Sequence, residues 1–117
     1  MTRAMTYAMT RRMPMTAALV SPAMEDGAVK LSGELDLDSV PRIEPELTRL
    51  TAASAPELVL DLADVTFCDS SGVTMFLRLH GRCTAANTRL RLRSVPPRLG
   101  RVFRLLSLDQ FIPCAFQ

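Results

Sequence analysis

Asp69-Ser70-Ser71-Gly72 is the stretch of this sequence best equipped for chemistry. Two adjacent hydroxyls stand where an apolar strand pattern gives way to a helical one, which sets them at the start of a helix. The first backbone N–H groups of a helix have no partner within it, and the macrodipole favours negative charge there. A phosphate would be accommodated at such a place. Ordinary capping accounts for the same residues without any function, because Asp and Ser are common N-cap residues.

Catalytic readings fail on their partners. A nucleophilic serine needs a base, and the only histidine, His80, lies ten residues beyond Ser70, roughly 15 Å along a helix at 1.5 Å per residue. There is no G-x-S-x-G elbow and no G-x-x-x-x-G-K-[ST] phosphate loop. Asp61 and Asp64 are close enough in sequence for acid–base work, but nothing places them around a substrate, and solvated residues beside a strand end explain them. His80 then reads as a helix-surface or half-buried residue. His80 and Cys83 share an H-x-x-C spacing, yet a structural zinc site needs about four ligands and Cys68 and Cys114 are scattered, so no metal is expected. The three cysteines form no CxxC pair and leave one over in any disulfide scheme, which points to a reducing cytoplasm. No enzyme activity and no cofactor are expected.

The elements that must carry Ser70 follow from the breakers around it. After Ala55-Pro56, Glu57–Leu62 is a short apolar run suited to a buried strand, and Val65–Cys68 continues it. Val73–His80 reads as a helix that buries Val73, Phe76, Leu77 and Leu79. Upstream, the apolar stretch Thr16–Val20 ends at Ser21-Pro22, Glu25-Asp26-Gly27 signals a turn, and Val29, Leu31 and Leu35 alternate, which together predict a hairpin. Val40, Ile43, Leu47 and Leu50 then mark one face of a helix capped by Asp38 or Ser39. Pro41 suits its first turn; Pro45 would remove a donor from a helix already under way, so a start near Glu44 competes with one near Val40.

Downstream, Arg89-Leu90-Arg91-Leu92-Arg93 alternates strictly and predicts a strand with one basic face, ended by Pro96-Pro97. Val102, Leu105 and Leu106 mark a short helix ending at Leu108-Asp109, and Phe111-Ile112 is the candidate last strand, before Pro113. The order β-β-α-β-α-β-α-β predicts an α/β domain with a mixed, partly parallel sheet.

With 117 residues, 48% of them hydrophobic and 22% charged, the chain suffices for one domain and excludes a two-domain enzyme. The net charge is +2 and the aromatics number six without a Trp, a poor inventory for stacking on bases, so no direct nucleic-acid binding is expected. That total conceals +3 over residues 1–24, −8 over 25–69 and +7 over 70–117. The split produces patches of opposite sign only if the fold keeps these segments apart; otherwise it is a solvated surface. Residues 1–14, which hold four of the seven methionines, read as a disordered extension or an upstream translation start, followed by one domain over 15–117. Pro14, Thr16 and Pro22 interrupt any signal-peptide core, and no run approaches the ~18 apolar residues of a span, so a cytoplasmic protein that avoids membranes is expected.

Three segments together resemble a known family: Gly33-Glu34-Leu35-Asp36, Val59-Leu60-Asp61-Leu62, and Val65-Thr66-Phe67-Cys68-Asp69-Ser70-Ser71-Gly72-Val73. In order and spacing, with the later Pro-Pro helix, they are similar to the STAS domain of bacterial anti-sigma factor antagonists, from about Thr16 to Phe111. The resemblance implies a single STAS-like domain with helices packed mainly on one side of the sheet. It also implies a switch in place of a catalyst. The unmodified antagonist binds an anti-sigma factor that is also a serine kinase and frees the sigma factor; phosphorylation ends that binding, and a PP2C-type phosphatase restores it. Ser70 matches the phosphorylated position, with Ser71 second to it; Asp69 and Gly72 would shape the turn, and Asp36 would lie near the same partner surface. Thr74 departs from the family, where many members have glycine, and the usual last helix is missing or cut short at Gln117. STAS domains also serve as unmodified scaffolds or ligand- or nucleotide-sensing modules in signalling or lipid-transport complexes, which is the alternative reading.

Overall fold

Alternation decides which side of each strand meets the core. The computed structural model describes residues 18–23, 26–52 and 55–117. In strand β2 (Val29–Leu35), Val29, Leu31 and Leu35 point inward while Lys30, Ser32 and Glu34 point out. Strand β1 (Leu19–Ala23) pairs with it antiparallel, and the turn between them uses Gly27 at φ +89°, a conformation that favours glycine. Helix α1 (Val40–Thr51) follows, then strand β3 (Glu57–Cys68), helix α2 (Ser70–Ala85), strand β4 (Arg89–Val95), helix α3 (Pro97–Leu105), a short 3₁₀ turn (Leu108–Gln110) and strand β5 (Cys114–Phe116). The sheet order is β1-β2-β3-β4-β5, with every pair after the first parallel. This is the expected mixed α/β architecture. The expected extension over residues 1–14 lies outside the described residues.

All the buried apolar residues of strands and helices join one cluster, so the helices cover a single face of the sheet. Leu58, Leu60 and Leu62 of β3 and Leu90 and Leu92 of β4 form its floor; Ile43 and Leu47 of α1, and Met75, Phe76 and Leu79 of α2, form its roof. Phe76 meets Phe103 of α3 edge to face, with ring centroids 5.9 Å apart. Parallel strands are usually covered on both faces. Here the outer face is furnished with ion pairs: Glu57 with Arg91 at 3.2 Å, Asp61 with Arg93 at 2.9 Å, Asp26 also with Arg93, and Lys30 with Asp64 at 3.2 Å. The fold therefore does not separate the acidic middle of the chain from its basic end; neighbouring strands bring the two together.

Several sequence expectations need correction. Strand β1 runs through Ser21-Pro22 instead of ending there, with its register shifting between Val20 and Ala23; an edge strand tolerates a missing donor. Of the two starts the sequence left open for helix α1, the structure takes the one at Val40, with Pro45 inside the helix. Leu77 is partly exposed, and Met75 occupies the buried position instead. The last strand follows Pro113 and does not include Phe111-Ile112: the Pro113 carbonyl accepts from the Leu92 N–H at 3.0 Å and opens the β4–β5 ladder, while Ile112 is buried before it.

Candidate functional site

Strand β3 ends at Cys68, and Asp69 leaves the sheet in an extended conformation (φ −103°, ψ −168°). Its N–H donates to the Leu35 carbonyl at 3.1 Å, tying the start of α2 to the end of β2. Its Oδ1 accepts from the Ser71 N–H at 2.8 Å, which is the N-cap bond of α2. Ser70 is the first helical residue and is exposed; Ser71 is half-buried. The Ser70 hydroxyl makes no hydrogen bond among the described residues.

Gly72 does not shape a turn, as the sequence suggested. It is a buried helical residue, and a Cβ there would lie 2.6 Å from Cys68 Sγ and 3.0 Å from Leu35 Cβ. Its role is close approach of helix to strand. Beneath it, burial first and the neighbouring Asp69 charge second push the Cys68 thiol up to about 12, so this sulfur stays protonated at neutral pH.

Facing Ser70 across a shallow depression is the loop from β2 to α1. The Asp36 carboxylate accepts from the N–H groups of Asp38 at 3.0 Å and Ser39 at 2.9 Å. Ser39 is buried; its hydroxyl accepts from the Asp36 N–H at 3.0 Å and donates to the Glu34 carbonyl at 2.6 Å. Ser39 thus stands at the N-cap position, but its side chain serves the loop and not the helix, contrary to the capping expected of it. The loop is braced so that Leu37 protrudes, 76% exposed.

The depression holds about 300 Å³ and is lined by Leu37, Val40 and Pro41 on one side and Ser70, Ser71, Thr74 and Arg78 on the other. Of the residues named from sequence, Ser70 and Ser71 line it; Asp69 and Gly72 frame it from below, and Asp36 holds the opposite loop without lining it. Thr74 and Arg78 were missed, although positions four and eight beyond Ser70 share its helical face. Leu37, an apolar residue between two aspartates in a loop, was the other available signal.

Arg78 grips Glu44 of α1 with two 2.7 Å bonds, Nε to Oε2 and Nη2 to Oε1, and so clamps α1 to α2 beside the depression. Those bonds outweigh the effect of burial and hold the Glu44 carboxyl below its ordinary range, while raising Arg78 in turn. Among the described residues, no three His, Cys, Asp or Glu side chains converge as a metal site, and no helix is long and apolar enough to cross a membrane.

Comparison with known proteins gives this geometry its context. The family described as "Mlab, STAS domain" matches residues 19–113. The anti-sigma-B factor antagonist of Staphylococcus aureus is 30% identical over 84 residues, which cover 72% of this chain and 78% of that protein. An anti-sigma factor antagonist from Mycobacterium paratuberculosis superposes with a TM-score of 0.71 at 28% identity, covering 85% of this chain and 84% of that one. SpoIIAA shares the fold in both its forms. The unphosphorylated form gives a TM-score of 0.66 at 22% identity, covering 85% of this chain and 88% of its own. The phosphorylated form, from Bacillus, gives 0.60 at 24%, covering 85% and 91%. A match that runs from the first strand to the start of the last, together with a relative at that identity, means that the chain belongs to the STAS domain family of anti-sigma factor antagonists.

Proposed function

We propose that this protein is a partner switch acting in the cytoplasm. Unphosphorylated, it binds an anti-sigma factor that is also a serine kinase, and the sigma factor is freed. The kinase transfers the γ-phosphoryl group of ATP to Ser70 Oγ, releasing ADP and the hydroxyl proton, and binding ends; a PP2C-type phosphatase hydrolyses the ester. The observation that carries this reading is the exposed Ser70 hydroxyl, free of hydrogen bonds among the described residues, at the N-terminus of a 16-residue helix and beside a protruding leucine. The docking surface would comprise Leu37, Ser70 and Ser71, with Asp36, Asp69 and Gly72 holding it in shape.

Physical chemistry supports such a switch. A phosphate adds roughly −1.5 to −2 charge, which a helix N-terminus tolerates, so the domain stays folded while its surface changes sign locally. Leu37 stands beside Ser70, so an apolar contact on the partner would be set against a dianion. Desolvating that charge in an interface costs on the order of several kcal/mol, and each ~1.4 kcal/mol is a factor of ten in affinity.

The test is incubation of the purified protein with ATP and the anti-sigma kinases of its own genome, read by intact mass and fragment mapping. One phosphate on Ser70, absent from Ser70→Ala, is expected. A Ser70→Glu protein of unchanged melting temperature should bind the same kinase at least about tenfold more weakly; equal binding would refute the switch. A second reading, an unmodified scaffold or sensing module, rests on the match of residues 19–113 to the family described as "Mlab, STAS domain". A kinase that binds without modifying any residue would establish it.

A further inference from the structure

A second and larger concavity lies at the far end of α2, ten residues and about 15 Å of helix away from Ser70. It holds about 880 Å³, within the range of small-molecule sites. His80 and Thr84 come from the last turns of α2, Asn87 from a left-handed turn (φ 58°), Arg89 from the start of β4, and Phe111 and Pro113 from the approach to β5. Phe111 is 59% exposed, its ring standing over this space with Pro113 instead of in the core.

Charge selects the ligand. The three alternating arginines of β4 differ in their partners: Arg91 pairs with Glu57 and Arg93 with Asp61 and Asp26. Arg89 lies opposite Glu57 in the ladder, yet the Glu57 carboxylate turns to Arg91, so Arg89 has no ion pair among the described residues. The negative end of α2 is blunted, because the N–H groups of Ala86, Asn87 and Thr88 take the carbonyls of Arg82, Cys83 and Thr84. Glu57 also lines the space, but its carboxylate is held by Arg91 at 3.2 Å; beside it remain the Arg89 guanidinium, unpaired among the described residues, amide and imidazole hydrogen-bonding groups, and an aromatic wall.

We propose that this cavity binds a small planar aromatic molecule carrying one anionic group, its ring against Phe111 and Pro113 and its anion on Arg89. Asn87 and His80 orient it. The site shares no residue with the Ser70 surface and does not depend on the switch.

The test uses 1-anilinonaphthalene-8-sulfonate as the probe, titrated into isotope-labelled full-length protein and followed by amide NMR. Saturable binding is expected, with shifts concentrated at Asn87, Thr88, Arg89 and Phe111 and none at Ser70 or Ser71. Arg89→Gln and Phe111→Ala, both at exposed positions, should keep the wild-type melting temperature and each weaken binding by about tenfold or more. Displacement of the probe by adenosine monophosphate points to a nucleotide, and displacement by indole-3-acetate to an aromatic acid. Either supports the proposal. Diffuse shifts, unchanged affinity in both variants, or displacement by neither compound overturns it.

Discussion

Gly72→Ala separates two accounts of that glycine. If Gly72 merely supplied freedom to a turn, alanine in an ordinary helical conformation would be neutral or stabilising, since alanine is favoured over glycine by up to ~1 kcal/mol within a helix. The close approach says otherwise. The added methyl would stand 2.6 Å from Cys68 Sγ, 3.0 Å from Leu35 Cβ and 3.4 Å from the Leu35 carbonyl oxygen. Carbon contacts settle near ~3.5–4.0 Å, so the first two intrude by roughly half an ångström or more. Leu35 Cβ is fixed to the backbone of a buried strand, and Cys68 is only 4% exposed, so neither moves away freely. Overpacking of this kind costs about 1–3 kcal/mol; part of the helix gain offsets it at this third helical position, leaving a loss of about 1–2 kcal/mol. That is a fall in Tm of about 4–10 °C for a domain of this size, with the urea m-value unchanged. Removing the sulfur should relieve the strain, so Gly72→Ala combined with Cys68→Ala should lose at least ~0.5 kcal/mol less than the sum of the two. A Gly72→Ala protein as stable as wild type, or strict additivity with Cys68→Ala, would refute the packing argument.

Ser39→Ala strips the buried hydroxyl that serves the Asp36 N–H and the Glu34 carbonyl, and should cost about 1–3 kcal/mol in urea unfolding, with faster amide exchange at Asp36. Because Arg78 lowers the folded pKa of Glu44, their contribution is present above the unfolded value of about 4.3 and is lost as pH falls through the lower folded value. Glu44→Gln should therefore be less stable at pH 7, by at most about 1 kcal/mol given the half-exposed guanidinium, and chemical denaturation should show the gap closing below about pH 4. Burial holds the Cys68 thiol at about 12 and the Cys114 thiol at about 11. A thiol-exchange reagent at pH 8 should label the native protein slowly and all three cysteines at once after denaturation; rapid native labelling of Cys68 would contradict its burial.

The strands and helices at the centre of the fold were legible because local signals agree there. Ala55-Pro56 opens β3, Asp69 closes it, and the apolar residues of α2 recur at helical spacing. Misreadings arose where tertiary context overrides a local rule. Pro22 looks like a terminator, but β1 is an edge strand and loses nothing by lacking one donor. Pro45 left the helix start open between Val40 and Glu44, and the anchoring of Val40, Ile43 and Leu47 in the core decides for the earlier one. The charge split along the sequence left patches or a mixed surface open, and register decides for the mixed surface by setting Glu57 and Asp61 of β3 directly beside the arginines of β4. At the candidate site, capping chemistry pointed to Asp69 and Ser70. The depression that Ser70 shares with Leu37 and Arg78 could not be read, because it depends on how α1 crosses α2.

The site separates folding from recognition. Three interactions hold the N-terminus of α2 in place: the Asp69 N–H on Leu35, the Asp69 carboxylate on the Ser71 N–H, and the contact of Gly72 with Cys68 and Leu35. None uses the Ser70 hydroxyl. The facing loop is likewise closed by Asp36 and Ser39 turning inward, which leaves Leu37 to project. Under the proposed switch, a change at Ser70 would therefore act on what the surface binds and not on whether the surface exists. A covalent switch requires that division: if the hydroxyl were a helix cap, esterifying it would take a hydrogen bond from the fold and couple regulation to unfolding. Because Asp69 does the capping, the proposed phosphorylation of Ser70 would place charge at a helix N-terminus that accommodates it, and its consequence would fall on the partner and not on the fold.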